Sequence, residues 1–137
     1  MRESLLAAIE AAVAQATPAR WADHTNASGH FKIFRDVEEA LSSQVGDVIY
    51  SEDLAARIGV SVRTMHDAVQ RYRGMGLHRY LRLRRLWLVR RRLVAGADSV
   101  KAAALAYGFW HLGDFSHGYR EQFGESPSET LAKSQRR

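Results

Sequence analysis

Apolar positions recur at intervals of three and four along most of the chain, and runs that alternate apolar with polar residues are scarce, so the pattern predicts helices and no sheet. Helix starts and stops follow residue by residue. Asp36 and Glu39 have capping-box spacing and predict a helix from Val37 to Gln44. Ser51, followed by Glu52 and Asp53 where the helix dipole favours acids, opens another to Ile58. Gly59 and Val60 turn the chain, and Ser61 caps a helix to Arg73 that Gly74 and Gly76 end. A long helix is expected from Leu77 to Ala95, stopped by Gly96. Ser99 opens a short helix to Tyr107, Gly108 and Phe109 turn the chain again, and His111 to Phe123 makes the next helix. Ser126-Pro127-Ser128-Glu129 starts the last one, with a capping Ser, Pro at the first helical position and Glu at the third.

Two of these helix pairs repeat one another. Gly59 matches Gly108, Ala55 matches Ala104 and Val60 matches Phe109 at an offset of 49. Met65 with Phe115, Val69 with Tyr119, Gly74 with Gly124 and Leu81 with Leu131 match at 50, so the second turn carries one extra residue. Each unit is a short helix bearing small residues, a tight Gly-containing turn and a longer amphipathic helix, which is the helix-turn-helix pattern. The apolar side of the helix between them switches along its length. Leu77, Tyr80, Leu81 and Leu88 lie on one side, and Leu83, Leu86, Trp87, Leu93 and Val94 on another. Such a helix packs against two bodies and sets the distance between them. The expected architecture is all-α, homeodomain-like: two helix-turn-helix subdomains, residues 36–76 and 97–137, joined by a linking helix at 77–96.

Residues 1–35 are expected to form an N-terminal helix and a loop around His24 to Gly29, a packing arm or linker to an upstream domain. Leu5, Ile9 and Val13 draw an apolar stripe suited to a dimer partner or neighbouring domain. Glu10 and Gln15 interrupt the run, which is shorter than the ~20 apolar residues that a membrane span needs. Neither a membrane segment nor an export signal is expected, and a cytoplasmic location is.

Charge adds a partner to this picture. Residues 1–50 hold four basic and seven acidic side chains, net −3, whereas residues 51–137 hold sixteen basic and eight acidic, net +8. Arg71 to Arg92 contains nine Arg and no acid. A block of one sign points to a polyanion, with a solvated helix face as the plain alternative. The absence of Cys in all 137 residues removes disulfides, thiolate catalysis and Cys-ligated metal sites. His111, Asp114 and His117 do not share a helix face, and no zincin motif, P-loop, nucleophile elbow or dinucleotide fingerprint is present. No enzyme activity, cofactor or metal is expected.

The run Ser51-Glu52-Asp53-Leu54-Ala55-Ala56-Arg57-Ile58-Gly59-Val60-Ser61-Val62-Arg63-Thr64-Met65, then Tyr80 to Leu86, Ala106-Tyr107-Gly108-Phe109 and Phe123-Gly124-Glu125-Ser126-Pro127-Ser128-Glu129, resembles the DNA-binding domain of AraC/XylS-family transcription regulators. The resemblance covers Val37 to Lys133 in the family's order and spacing. It implies sequence-specific binding of a double-stranded DNA operator, with two recognition helices in successive major grooves, and regulation of transcription, most often activation. It also implies RNA polymerase as a further partner, and either a longer regulator with an effector-binding or dimerisation domain elsewhere, which is the expectation, or a compact stand-alone member. The competing expectation is a basic protein-interaction module that recruits acidic partners.

In the first recognition helix Met65, Ala68, Val69 and Tyr72 are expected inside. Arg63, His66, Asp67 and Gln70 are candidate base contacts. An Arg can pair bidentately with guanine, a Gln reaches adenine or a phosphate, and Asp67 either accepts from cytosine or orients Arg63 or Arg71 four residues away. In the second, Phe115, Tyr119 and Gln122 are expected inside, with Gly113 and His117 towards the bases. Ser61, Arg71, Arg82, Arg85, Ser116 and Arg120 are candidate phosphate contacts. Trp110 is expected to pack under the start of its helix, with contact to a sugar as the alternative.

Overall fold

The computed structural model describes residues 19–44 and 46–137, and among them there are seven helices and no strand. They are α1 (Ala19–Ser43), α2 (Ser51–Ile58), α3 (Val62–Arg73), α4 (Leu77–Val94), α5 (Val100–Ala106), α6 (Leu112–Phe123) and α7 (Pro127–Gln135). The stripe of Leu5, Ile9 and Val13 lies outside the described residues.

The repeat inferred from sequence is a repeat of backbone joints. In both turns the fifth residue after a small Ala returns a hydrogen bond to its carbonyl: Val60 N–H to Ala55 O at 3.1 Å, and Phe109 N–H to Ala104 O at 3.0 Å. Gly59 (φ 83°) and Gly108 (φ 79°) supply the left-handed residue that each joint needs. Ala55 and Ala104 are buried at the crossing. Ser61 accepts from Thr64 N–H and Ser99 from Ala102 N–H, as capping requires, and Ser126 with Glu129 forms a complete capping box. At the second helix the cap shifts by one: Tyr50 takes the extended N-cap geometry, and the buried Ser51 donates to Glu52 Oε2 instead.

Two hydrophobic cores result. Val37, Leu41, Ile49, Leu54, Met65, Val69, Leu77 and Leu81 make the first. Leu86, Leu88, Val89, Leu93, Tyr107, Phe109, Phe115 and Tyr119 make the second. Helix α4 contributes to both, as its switching apolar side predicts, although Leu88 belongs to the second core, and Trp87 and Val94 are half exposed.

Helix α1 departs from expectation. It runs for 25 residues straight through His24 to Gly29 and past Asp36, which is interior to the helix and not its cap. The reason is the stripe Phe31, Phe34, Val37 and Leu41, whose spacing continues across Asp36 and whose burial outweighs a local cap. Tyr72 of α3, expected inside, is 37% exposed and serves this stripe from the rim. Its ring stacks on Phe34 at 5.3 Å, meets Phe31 edge-on at 5.5 Å, and its hydroxyl donates to Ala27 O at 2.9 Å. Gln122 is likewise exposed, and Phe123 turns inward in its place, 4.6 Å from the Tyr119 ring and 4.9 Å from Trp87.

A polar chain closes the second unit. Buried Tyr119 donates to Thr130 Oγ1 at 2.8 Å, Thr130 donates to Glu125 Oε1 at 2.6 Å, and Lys133 and Arg90 pair with the same carboxylate. The Lys133 hydrogen bond, then that from Thr130, hold Glu125 down at about 2, against an ordinary value of 4.5. A depressed carboxyl contributes stability that is complete above its unfolded value and is lost as pH falls from 4.5 towards about 2. Acid titration of the folded chain, followed by denaturant midpoint, is therefore expected to show a steeper loss in this window for the native sequence than for Glu125→Gln, which should start less stable and lose less.

Candidate nucleic-acid interface

The joints above and the residues buried beneath α3 and α6 fix which side chains the two helices turn outward. With Met65, Ala68 and Val69 fully buried beneath α3, Arg63, Asp67 and Gln70 form an exposed row at spacings of four and three. The 50-residue offset places Gly113, His117 and Arg120 in the same row on α6, above buried Phe115 and Tyr119. Arg63, Asp67, Gln70 and Arg71 enter no ion pair or side-chain hydrogen bond among the described residues. The expected pairing of Asp67 with Arg63 or Arg71 is thus not formed among the described residues. His117 Nε2 lies 3.4 Å from Glu121 Oε1, both well exposed. A Cβ on Gly113 would meet nothing within 4 Å, so this part of α6 is open to close backbone approach. Ser61 is exposed with its oxygen shared between Thr64 N–H and the Thr64 hydroxyl, and Ser116 is half-buried.

Trp110 is 70% exposed at the turn before α6 and does not pack under its start. Phe109 takes the buried position beside it, leaving Trp110 to solvent. Its signal in the sequence was its place after the Gly-Phe turn, where one of two adjacent aromatic residues must point away.

His66 also departs from expectation. It turns along the fold, and its Nδ1 accepts the Leu77 N–H at 3.2 Å. Gly76, the N-cap of α4, has no side chain to cap that helix, and the imidazole performs the task from eleven residues upstream. A Cβ on Gly76 would come within 2.9 Å of His66 Cε1, so the Gly makes room for the ring.

The arginine block divides into two groups. Arg71, Arg79, Arg91 and Arg92 are exposed. The other five have partners within the fold, Arg73 while itself exposed. Arg73 pairs with Glu38 at 3.1 Å, and Arg90 with Glu125 at 3.4 Å. Arg84 donates to the carbonyls of Leu41, Gln44 and Asp47 at 2.9 to 3.0 Å, covering the end of α1. Arg85, expected at a phosphate, donates to Tyr107 O and Gly108 O, and Arg82, likewise expected there, reaches Asp114 O at 3.4 Å. Burial pulls Arg84 and Arg85 below the ordinary guanidinium value, as it does for any cation drawn out of water.

Two exposed rows on two helices, each following the same Ala–Gly joint, define a helix-turn-helix DNA-binding protein. A family profile described as "Helix-turn-helix domain" matches residues 54–133. A solved structure of a probable AraC family transcriptional regulator from Rhodopseudomonas palustris is 38% identical, with TM-score 0.66, and the match covers 75% of this chain and 97% of that one. The XylDLEGF operon transcriptional activator 3 of Pseudomonas putida is 35% identical over 103 residues, which are 73% of this chain and 31% of the activator. The HTH-type transcriptional activator RhaS of Pectobacterium carotovorum is 37% identical over 83 residues, 57% of this chain and 30% of RhaS. The chain therefore belongs to the AraC family of transcription regulators and contains its DNA-binding domain. It spans about a third of the length of these two activators.

The placement of His66 makes a prediction. His66→Ala should lower folding stability by about 1 kcal/mol, the usual cost of losing a helix cap, and leave base preference unchanged. Thermal melts together with sequence selection check it; a variant of native stability with altered preference would return His66 to the bases.

Proposed function

We propose that the chain binds operator DNA by laying α3 and α6 in two successive major grooves, and that it does so within an activator of transcription. The observation that carries this reading is the pair of equivalent exposed rows, Arg63, Asp67, Gln70 and Gly113, His117, Arg120, on helices tied to a common rod. The rod, α4, has 18 residues and spans about 27 Å, of the order of the ~34 Å between successive major-groove faces.

In this reading Arg63 takes guanine O6 and N7, Gln70 takes adenine or a phosphate, and unpaired Asp67 accepts from cytosine N4. The bare Gly113 lets the α6 backbone approach the bases, beside His117. Ser61, Arg71, Ser116 and Arg120 contact phosphates and set the register. Exposed Arg79, Arg91 and Arg92 add to the long-range field. The names of the relatives support activation, and with it contact with RNA polymerase in the cytoplasm. Their greater length supports an effector-binding or dimerisation domain belonging to the same regulator. A module that docks acidic proteins through the arginine block is disfavoured, because five of its nine arginines are held within the fold.

Selection from a random duplex library at near-physiological salt is expected to enrich two short motifs about one helical turn (~34 Å) apart. On the selected site, Arg63→Ala should cost ~1 to 3 kcal/mol and relax preference at one position, whereas Arg71→Ala should weaken all sequences alike and reduce the salt slope by about 1. Equal losses on every sequence for both variants would make Arg63 a phosphate contact, and no enrichment with no salt dependence would overturn DNA readout itself.

A further inference from the structure

We infer that Arg85, seconded by Arg82, is a positioning residue that fixes the setting of the second recognition helix against α4, and so the half-site spacing that the chain accepts, without touching phosphate. This inference rests on the two-groove reading above.

The geometry is that of a clamp. Arg85 Nη1 donates to Gly108 O at 3.2 Å and to Tyr107 O at 3.4 Å, carbonyls at the end of α5 that its helix leaves unsatisfied. Its guanidinium carbon sits 4.8 Å from the centre of the Phe109 ring. Arg82, one turn earlier on α4, lies over the same ring at 5.6 Å and donates to Asp114 O in the first turn of α6. Phe109 is itself buried in the second core, 4.9 Å from Phe115. Two cations from the linking helix thus hold the joint of the second unit and the start of its recognition helix. Two glycines give them passage. A Cβ on Gly108 would stand 3.0 Å from Arg85 Nη1, and one on Gly118 would stand 3.0 Å from Arg82 Nη2.

The same place is where the two units touch. Tyr50 Oη and Val48 Cγ1, from the loop that leads into α2, lie 3.6 and 3.7 Å from the position of a Gly108 Cβ, and Val48 packs against the second core. Arg84, the next residue on α4, holds the start of that loop through Asp47 O at 3.0 Å. Adjacent guanidinium groups on one helix therefore grip the first unit and the second. An Arg85 swung out to a phosphate would abandon two carbonyls and the ring, whereas exposed Arg120 has no such ties. One nitrogen of the planar group serves both carbonyls while the guanidinium lies against the Phe109 ring, and a lysine keeps the charge without that flat face.

The test uses duplexes that carry the two selected half-sites at spacings varied base pair by base pair, each titrated over a salt series. The proteins are the native chain, Arg85→Gln, Arg85→Lys and, as a phosphate-contact comparator, Arg120→Gln. The native chain is expected to favour one spacing by about tenfold. Both Arg85 variants should reduce this to about threefold or less, with half-site affinity and salt slope unchanged, while Arg120→Gln should lower the slope by about 0.9 and keep the spacing preference. If Arg85→Gln loses its helical signal, Arg85→Lys decides by the same two readouts. Arg85 variants that keep the spacing preference, with or without a smaller salt slope, overturn the inference and leave the two-groove reading standing. A native chain with no spacing preference overturns both.

Discussion

One helix has to belong to two cores. Leu77 and Leu81 close the first, Leu86, Val89 and Leu93 close the second, and neither core is complete without α4. A helix in that position exposes few free edges, yet it must also bind down the irregular backbone on both sides of it. Its charged residues perform that work. Arg84 gathers three carbonyls at and just beyond the end of α1, and Arg85 gathers two just beyond the end of α5. Carbonyls at helix ends carry partial negative charge, so a part-buried guanidinium meets there an acceptor that needs no acidic partner.

This use of arginine accounts for what a charge count hides. Nine arginines without an acid describe a contact surface only if all nine face solvent, and the count is blind to backbone acceptors, to the rings of Phe109 and Phe123, and to acids distant in sequence such as Glu38 and Glu125. The opposite holds for the joints. Ser61, Ser99, Ser126, Gly59, Gly74, Gly108 and Gly124 act within four residues of their own positions, so their roles in capping and turning were legible in the sequence, as was the repeat that they mark.

Where a local signal competed with burial at a distance, burial prevailed. Asp36 with Glu39 has the spacing of a cap, but Phe31 and Phe34 upstream have a partner in Tyr72 of α3, which no pattern within α1 reveals. His66 sits on a periodicity that faces it outward, and the bare N-terminus of α4 draws it back. Trp110 and Phe109 were two neighbouring aromatics competing for one interior place, and the Ala104 joint decides it for Phe109. The outward row at Arg63, Asp67 and Gln70 was legible because everything beneath it is apolar and regularly spaced.

The doubling of the joint separates the interior of each unit from its exposed row. Met65 and Phe115, Val69 and Tyr119 differ in size yet fill equivalent interior places, and the three-residue rows outside them share no side chain, Arg63, Asp67 and Gln70 against Gly113, His117 and Arg120. Exposed positions of this kind contribute little to folding, within about ±0.5 kcal/mol. The exposed row of either unit can accordingly be exchanged, residue by residue, at little cost to the fold, whereas the glycines, the capping serines and the arginines of the rod cannot, because they hold the two units in register.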